Sequence, residues 1–380
     1  MKLLFQEQLL QEPVTANDSP ARQYVRGWAE AGLIANVSTR MALLDTGTQQ
    51  LAVSINDGHD PEDNCYVVSP RTAYSGYARE ELKRLGRPWL TRPLSALTQG
   101  VDALLSAAKV DKLVQVNNWL LSTNLYPADW DLHELPQISA FLQRLFPDHA
   151  LCFRSINEFS NWELKQRLRA LGFLSVPSRQ VYLFDGRSGP DAAFLRHHNT
   201  RLDRTLLRRS PYEVVPGAAL SDSDFLRVEQ LYNLLYLDKY CRLNPHYSAR
   251  WIQRGQREGW LQIRVLRNRV DGRIDGVLGW FGNDSTLSTP IVGYDTALPQ
   301  KTGLYRQLTC LCLLEAVERR TVLNFSSGAS GFKRLRGGQP QIEYSLIKVA
   351  HLPGRRRWIW RLLSVLLYGI GVPLMRKLKL

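Results

Sequence analysis

Apolar and polar positions along this chain follow two periods, and the switches between them mark out short strands and amphipathic helices. Met41–Asp45 and Leu51–Ile55 run apolar on either side of Thr46, Gly47 and Thr48, the pattern of a hairpin. Cys65–Ser69 reads as a short strand. Arg71–Leu85 reads as a helix with Glu80, Glu81, Lys83 and Arg84 on its outer face. Leu94–Ala108 has helical apolar spacing, and Lys112–Val116 is strand-like up to Asn117 and Asn118. Leu132–Leu145 predicts a helix, Ala150–Arg154 a strand, Trp162–Leu171 a helix stopped by Gly172, and Arg179–Phe184 a strand.

Between 186 and 210 the pattern breaks. Gly186, Gly189 and Pro190 lead into a basic stretch, Arg196–Arg209, in which Arg201, Arg204 and Arg208 fall at near-helical spacing. Regular periods resume near Tyr212, with a helix at Asp222–Leu237, a strand at Leu261–Leu266, a turn at Asp271–Gly272 and a strand at Ile274–Phe281. A strand at Ser288–Tyr294 then enters the turn Asp295–Arg306. It is followed by a helix at Leu308–Arg319, a strand-like Val322–Gly328, the basic run Phe332–Gly338 and a last strand from Ile342. Strands alternating with helices predict α/β or α+β layering around a mixed sheet. At 380 residues the chain is long for one core. The expected division is a domain over 1–185, a basic interdomain segment over 186–211, a second domain over 212–353 and a tail over 354–380. The two halves close alike: Leu151–Ser155, a helix, Gly172 and Arg179–Phe184 in the first; Leu323–Ser327, a short basic element, Gly337–Gly338 and Ile342–Ile347 in the second. The second alone has the glycine-bearing basic turn, which suggests one working site and one structural copy; so common an ending also arises by chance.

A hydrophobic fraction of 44% with 10 Trp suits a packed core. Lys and Arg exceed Asp and Glu by 49 − 35 = 14. That excess points to an anionic partner (CoA, nucleic acid or a lipid surface) or simply keeps the protein soluble. Cys65, Cys152, Cys241, Cys310 and Cys312 have no metal-type pairing and read as buried thiols in a reducing compartment. The first residues turn polar too early for a signal peptide, so a cytoplasmic location is expected. His197 and His198 are adjacent and would diverge on a helix, so no metal site is predicted. In the tail, Arg355–Arg357 precede an apolar run from Trp358 to Leu374, and Arg376, Lys377 and Lys379 follow. The uninterrupted part is short of the ~20 residues that span a bilayer. Basic flanks and border Trp match an anchor on an anionic inner leaflet, and a helix packed on the protein fits the same pattern.

The order strand, glycine-containing basic turn, helix, strand and polar loop suits a phosphate-bearing donor, because a helix start offers unpaired N–H groups and a positive dipole end. No Gly-x-Ser-x-Gly elbow and no paired Cys and His occur, so a covalent intermediate is not expected. Acyl transfer to an amine needs a base, a held donor and oxyanion stabilisation. Asp295 and Glu343 are the base candidates; a turn cap would equally explain Asp295, and an ion pair with Lys333 or Arg336 would explain Glu343. Tyr294 and Tyr305 are candidates to protonate a leaving group or orient the donor, or to pack. Ser326 and Ser327 are placed to bind the acceptor amine or the oxyanion, or to make the hydrogen bonds that start a loop, and Lys333, Arg334 and Arg336 to bind an anion or to form a solvated charge run. The basic face of Arg201, Arg204 and Arg208 would grip tRNA phosphate or bridge the domains in water.

Taken together, Gly293–Asp295, Gln300–Arg306, Asn324–Ala329, Phe332–Gly338 and Ile342–Tyr344 resemble the GNAT superfamily of acyltransferases in tandem form. Residues 212–352 resemble the branch that includes the Fem-type transferases, which attach aminoacyl groups to peptidoglycan precursors; residues 60–185 match only in the order of elements. The resemblance implies two GNAT-like domains, each a mixed, mostly antiparallel sheet flanked by helices, with a C-terminal amphipathic helix added. It implies a splayed sheet with pantetheine in the V between two strands, and a pyrophosphate resting on Gln300, Lys301, Thr302, Gly303, Leu304, Tyr305 and Arg306. Tyr305 stands where a second Gly or Ala belongs, which leaves room for a carrier-protein or aminoacyl-tRNA donor. The expected activity is N-acyl transfer from acyl-CoA or acyl carrier protein to an amine acceptor, without a metal, at the inner face of a membrane. The alternatives are a Fem-type aminoacyl-tRNA-dependent transferase and a non-catalytic, membrane-associated binding subunit.

Overall fold

The structure, a computed structural model, describes all residues except 16–17, 59–60, 62–63, 78, 81–87 and 379–380; of 88–97 and 378 it describes the backbone alone. The fold is mixed α/β with mostly antiparallel strands, and it resolves into two compact units. The first holds Met1–Arg179, Leu243–Pro245 and Ile342–Leu374; the second holds Gln180–Arg242, His246–Gln341 and Met375–Leu380.

The first unit opens with β1 (Lys2–Phe5), α1 (Gln6–Gln11) and α2 (Pro20–Gly27). Ser19 caps α2 by accepting the Arg22 amide. The expected hairpin forms as β2 (Arg40–Asp45) and β3 (Gln50–Asp57), turning on Gly47 at positive φ. Then come α3 (Pro88–Ala107), β4 (Lys112–Val116), α4 (Leu135–Leu145), β5 (Ala150–Asn157), α5 (Trp162–Ala170) and β6 (Leu174–Asp185). Cys65–Ser69 is not a strand. The amides of Val68 and Ser69 turn back onto the Cys65 carbonyl, while Cys65, Val67 and Val68 are buried. Its apolar run imitates a strand because the turn lies inside the core. Of the helix expected at Arg71–Leu85, Thr72–Gly76 forms a wide helical turn and residues 81–85 lie outside the described residues.

The second unit contains α6 (His198–Arg208), β7 (Tyr212–Pro216), α7 (Asp222–Asn233), α8 (Ala249–Arg257), β8 (Gln262–Asn268), β9 (Ile274–Gly282), β10 (Thr286–Tyr294), α9 (Leu304–Glu318), β11 (Val322–Asn324) and α10 (Ser330–Arg334). Its strands, which include the end of β6 from Gln180, run in the order β6-β11-β10-β9-β8-β7. The core packs Leu308, Leu313 and Ala316 of α9 against Leu278 and Val292.

Two boundaries differ from the expected ones. The segment 186–211 is not an interdomain bridge, because α6 packs on α9 inside the second unit. The last strand, β12 (Gln339–Lys348), leaves the second half at Ile342 and pairs antiparallel with β5, Glu343 opposite Asn157 and Lys348 opposite Leu151. In the first unit the strand order is therefore β1-β2-β3-β4-β5-β12. Such a non-local pairing leaves no local period to read.

The tail forms α11 (Gly354–Leu366), a wide turn at Leu367–Gly371 and α12 (Val372–Leu378). Arg356, Ile359, Trp360, Leu363 and Ser364 lie on the buried stripe of α11, at helical spacing. Ile359, Trp360 and Leu363 join Cys152, Val176 and Ile347 in the core of the first unit. Arg356 reaches the carbonyls of Ala108, Lys109, Lys112 and Asp148.

Candidate active site

The second unit's sheet parts between β10 and β11. β10 and β11 run parallel, and their register covers Thr286–Val322, Leu287–Leu323 and Ser288–Asn324. There β11 ends, while β10 continues to Tyr294. The parting coincides with a bulge between Ser288 and Ile291, opposite β9, at Pro290, which has no N–H to give a ladder. Gly293 lets α7 close over the other side of β10: a Cβ there would lie 2.5 Å from the Leu231 carbonyl.

The turn after β10 leads to the head of α9. Gln300–Thr302 forms one tight helical turn, and Gly303 opens α9 at φ +67, a conformation that glycine adopts without a steric penalty. The first intrahelical bond to Gly303 comes from Gln307, so the amides of Leu304, Tyr305 and Arg306 have no acceptor within the helix. Gln300 and Lys301 are exposed, Thr302, Gly303, Tyr305 and Arg306 half-buried, and Leu304 buried. The Gln307 side chain donates to the Thr302 carbonyl, while its buried Oε1 bonds no described protein atom. That leaves an acceptor for a donor group such as a ligand amide.

Tyrosines line the neighbouring surface. The Tyr305 ring lies 4.8 Å from Phe332 and 6.1 Å from Tyr294. Burial, helped by the nearby Tyr236, Tyr240, Cys312 and Tyr294, pushes the Tyr305 hydroxyl well above the usual phenol range, so it stays protonated. Lys239 donates to the Tyr294 hydroxyl at 3.0 Å, and this bond raises the Lys239 ammonium. Lys239, Tyr236 and Tyr240 are not among the residues expected at the site; their signal in the sequence is the spacing of Tyr232, Tyr236 and Tyr240 on one helical face. Burial also pushes the Cys310 thiol up to about 12, which leaves no thiolate there near neutrality.

Several predicted ligand contacts are occupied within the protein. Asp295 accepts from Arg227 at 2.8 Å and from the Ala297 amide, so it acts here as a turn cap held by an ion pair. Lys333 is buried, and its ammonium caps the carbonyls of Phe325, Ser326 and Ser327 at the end of β11. Arg336 and Arg306 share Asp203 of α6, at 2.5 and 2.6 Å. Arg334 is half-buried over the Tyr182 ring. Ser326 sits at φ +55 with its amide on Asn324 Oδ1, and Ser327 is exposed. Exposed Arg201, Arg204 and Arg208 lie on α6, whose Leu206 abuts Gly303.

Glu343 belongs to the first unit, where its ion-pair partner is Arg179. It is 1% exposed and accepts from Arg179 Nε at 2.8 Å, while Arg179 Nη2 donates to the Ser122 carbonyl and Thr123 Oγ1. The first unit repeats the parallel pairing: β4 and β5 match over Leu113–Ala150, Val114–Leu151 and Gln115–Cys152, and β5 then continues past the end of β4, paired on its other edge with β12. Arg154 stands where they part.

No protein-family profile and no curated protein matches the chain. Solved structures do. FemX aligns over 96% of this chain and 100% of its own, with a TM-score of 0.50 at 7% identity. A tandem GNAT protein from the clavulanic acid biosynthesis pathway aligns over 91% and 92%, with a TM-score of 0.39 at 10% identity. L-PGS from Bacillus licheniformis aligns over 70% and 96%, with a TM-score of 0.43 at 13% identity. The chain therefore shares the fold of FemX over nearly its whole length.

Proposed function

We propose that this protein is an acyltransferase that moves an acyl group from an activated carrier to an amine, with the carrier's anionic end at the head of α9. The observation that carries this reading is the parallel register of β10 and β11 ending at Ser288 and Asn324, next to a helix opened by Gly303. The parting leaves a β10 edge on which an extended donor arm can add as a strand, and the free amides of Leu304, Tyr305 and Arg306 favour a phosphate there. The acceptor attacks as a neutral amine; its nitrogen forms the new C–N bond while the bond to the carrier sulfur or oxygen breaks. The Tyr305 phenol, kept protonated by its surroundings, is suited to give a proton to the departing group, and Tyr294 to orient the carbonyl. Asp295 and Glu343 remain base candidates only if Arg227 or Arg179 lets them go, because each carboxylate is ion-paired.

The first reading of the donor is acyl-CoA or an acyl carrier protein. A second is favoured by the exposed arginines of α6 beside Gly303: an aminoacyl-tRNA, whose phosphates such a face would hold. CoA that raises the thermal midpoint of the full chain supports the first; ribonuclease-sensitive RNA copurifying with the protein supports the second. Neither result, together with no transfer from acyl-CoA or charged tRNA, overturns the proposal and leaves a binding subunit. Tyr305→Phe should lower kcat by about 10²-fold, the low end for general acid help, with little change in donor affinity. The exposed apolar and basic tail further supports work at an anionic membrane surface.

A further inference from the structure

We propose that the first unit carries its own ligand site, for an oxyanion (a carboxylate or phosphoryl group on a body with an apolar face), formed by Arg154 and Tyr66 where β4 and β5 part. From the sequence, only a structural copy is expected here. The two guanidiniums of this region are treated differently by the fold. Arg179 is neutralised by buried Glu343 and locked onto Ser122 and Thr123. Arg154 has no carboxylate among the described residues. All of its hydrogen bonds come from Nη1, to the Val67 carbonyl at 3.0 Å, Asn118 Oδ1 at 3.2 Å and the Leu121 carbonyl at 3.5 Å. These fix the plane of the guanidinium, while Nε and Nη2 bond no described protein atom. A half-buried cation with no counter-charge is costly, and a fork of two N–H groups matches the two oxygens of a carboxylate or phosphate.

Tyr66 completes the site. Arg154 Nη1 holds the carbonyl of Val67, the residue after Tyr66, at 3.0 Å, which seats the Tyr66 backbone beside the guanidinium. Burial raises the Tyr66 hydroxyl, so it stays protonated, with Arg179 and Arg154 acting against the rise and Cys65 and Glu343 adding to it. The neutral hydroxyl supplies a third donor to an anion held by Arg154. The Tyr66 ring meets Tyr77 edge-on at 5.2 Å, and both rings are half-buried, giving the ligand body an aromatic wall. The Tyr74 hydroxyl is a further polar group nearby: it is buried, faces Ser345 without forming a proper hydrogen bond, and lies within electrostatic reach of Arg154. Summed over Arg154, Arg179 and Glu343, the region keeps one net positive charge.

The test is thermal unfolding of the full chain at constant ionic strength. Inorganic phosphate and phenyl phosphate are titrated in one arm, and acetate and benzoate in the other, each against matched chloride. Saturable stabilisation by the first pair identifies a phosphoryl ligand, and by the second a carboxylate. Tyr66→Phe and Arg154→Lys are then titrated with the effective anion. Lysine keeps a donor for the three acceptors, as Lys333 does at its own carbonyls, but lacks the fork. Each variant should need roughly ten-fold more anion for half-saturation, the loss of about one charge-assisted hydrogen bond. No anion effect beyond chloride overturns the site, as does an unchanged response in Tyr66→Phe. If Arg154→Lys does not fold, Tyr66→Phe alone decides. The donor corner lies in the other unit, so either result stands whatever becomes of the transfer reading.

Discussion

Asp203 decides how much positive charge the second unit presents. Its two carboxylate oxygens take Arg306 and Arg336, side chains 103 and 133 residues away, so their guanidiniums are partly compensated inside the protein. The Arg336 side chain is 5% exposed and the Arg306 side chain 40%, so the two bonds have unequal weight. Asp203→Asn should destabilise the protein by about 3–5 kcal/mol through the buried Arg336 contact, while the Arg306 contact adds at most about 1 kcal/mol. Urea unfolding measures this; a loss below ~1 kcal/mol would mean that Arg336 finds another acceptor and is available to a ligand after all. The basic run of Phe332–Gly338 was legible in the sequence as chemistry, but its occupants were not. Asp203 is the only acid among the residues from Arg196 to Arg209, and nothing local tells which distant arginine it meets. The same holds for Lys333, whose three carbonyl partners are backbone atoms without a sequence signature.

Elements were legible where one period ran long enough to exclude the other. β9, β10 and the hairpin β2–β3 alternate or run apolar between turn residues and form where their residues predict, while α9, expected over Leu308–Arg319, begins a turn earlier at Leu304, inside the expected turn. β1, α1 and α2 were not legible, because α1 buries only Leu9 and α2 has a short apolar stripe, Ala21, Tyr24 and Val25, interrupted by charged residues and tied down by Arg26 on the Leu9 carbonyl and Asp18. The transfer of β12 to the first unit was invisible for a different reason: strand pairing is a choice of partner, not a property of the strand. Glycine positions sharpen the candidate site. Gly293→Ala would drive its Cβ onto the backbone of Leu231 and Tyr232, which cannot yield as a side chain would. It should cost on the order of 3 kcal/mol, the upper end for overpacking. Gly303→Ala meets only the tip of Leu206, so its cost is the ~1 kcal/mol of a left-handed conformation. It nevertheless tilts the amides of the α9 head. We expect Gly293→Ala to lower the unfolding midpoint most, and Gly303→Ala to weaken donor binding most. Comparing the two variants in thermal melts and ligand titrations checks both halves, and equal effects on donor binding would remove the α9 head from the donor site.

For the whole molecule, a formal charge of +14 and the tail raise the question of what the protein rests on. The helix Gly354–Lys377 is long and apolar enough, by length and composition, to cross a membrane. Its inner stripe, however, is part of the first unit's core, so deleting residues 354–380 would strip out Trp360 and leave four carbonyls without Arg356; loss of membrane binding after that deletion would say nothing about lipid. His351 ties the start of the tail to the His149 carbonyl, and burial lowers both imidazoles. Their folded pKa values lie below the unfolded ~6.5, so the stability they allow is full above that pH and is lost as pH falls through it. Lipid binding must therefore be measured above neutrality and by changing the outer face alone. Val365 and Ile370 are 68% and 64% exposed, and Trp358, Leu366, Tyr368 and Leu374 are exposed with them, beside exposed Arg355, Arg361, Arg376 and Lys377. Aspartates at Val365 and Ile370 should change stability by no more than about 0.5 kcal/mol, since neither side chain touches the core. The unaltered protein should float with vesicles containing anionic lipid, less with neutral ones, and less again at high salt, each basic residue near the surface contributing about 1 kcal/mol. The aspartate variant should stay in the aqueous fraction. If it floats as well as the unaltered protein, the apolar face of the tail does not meet lipid, and the positive charge must answer to some other anionic partner.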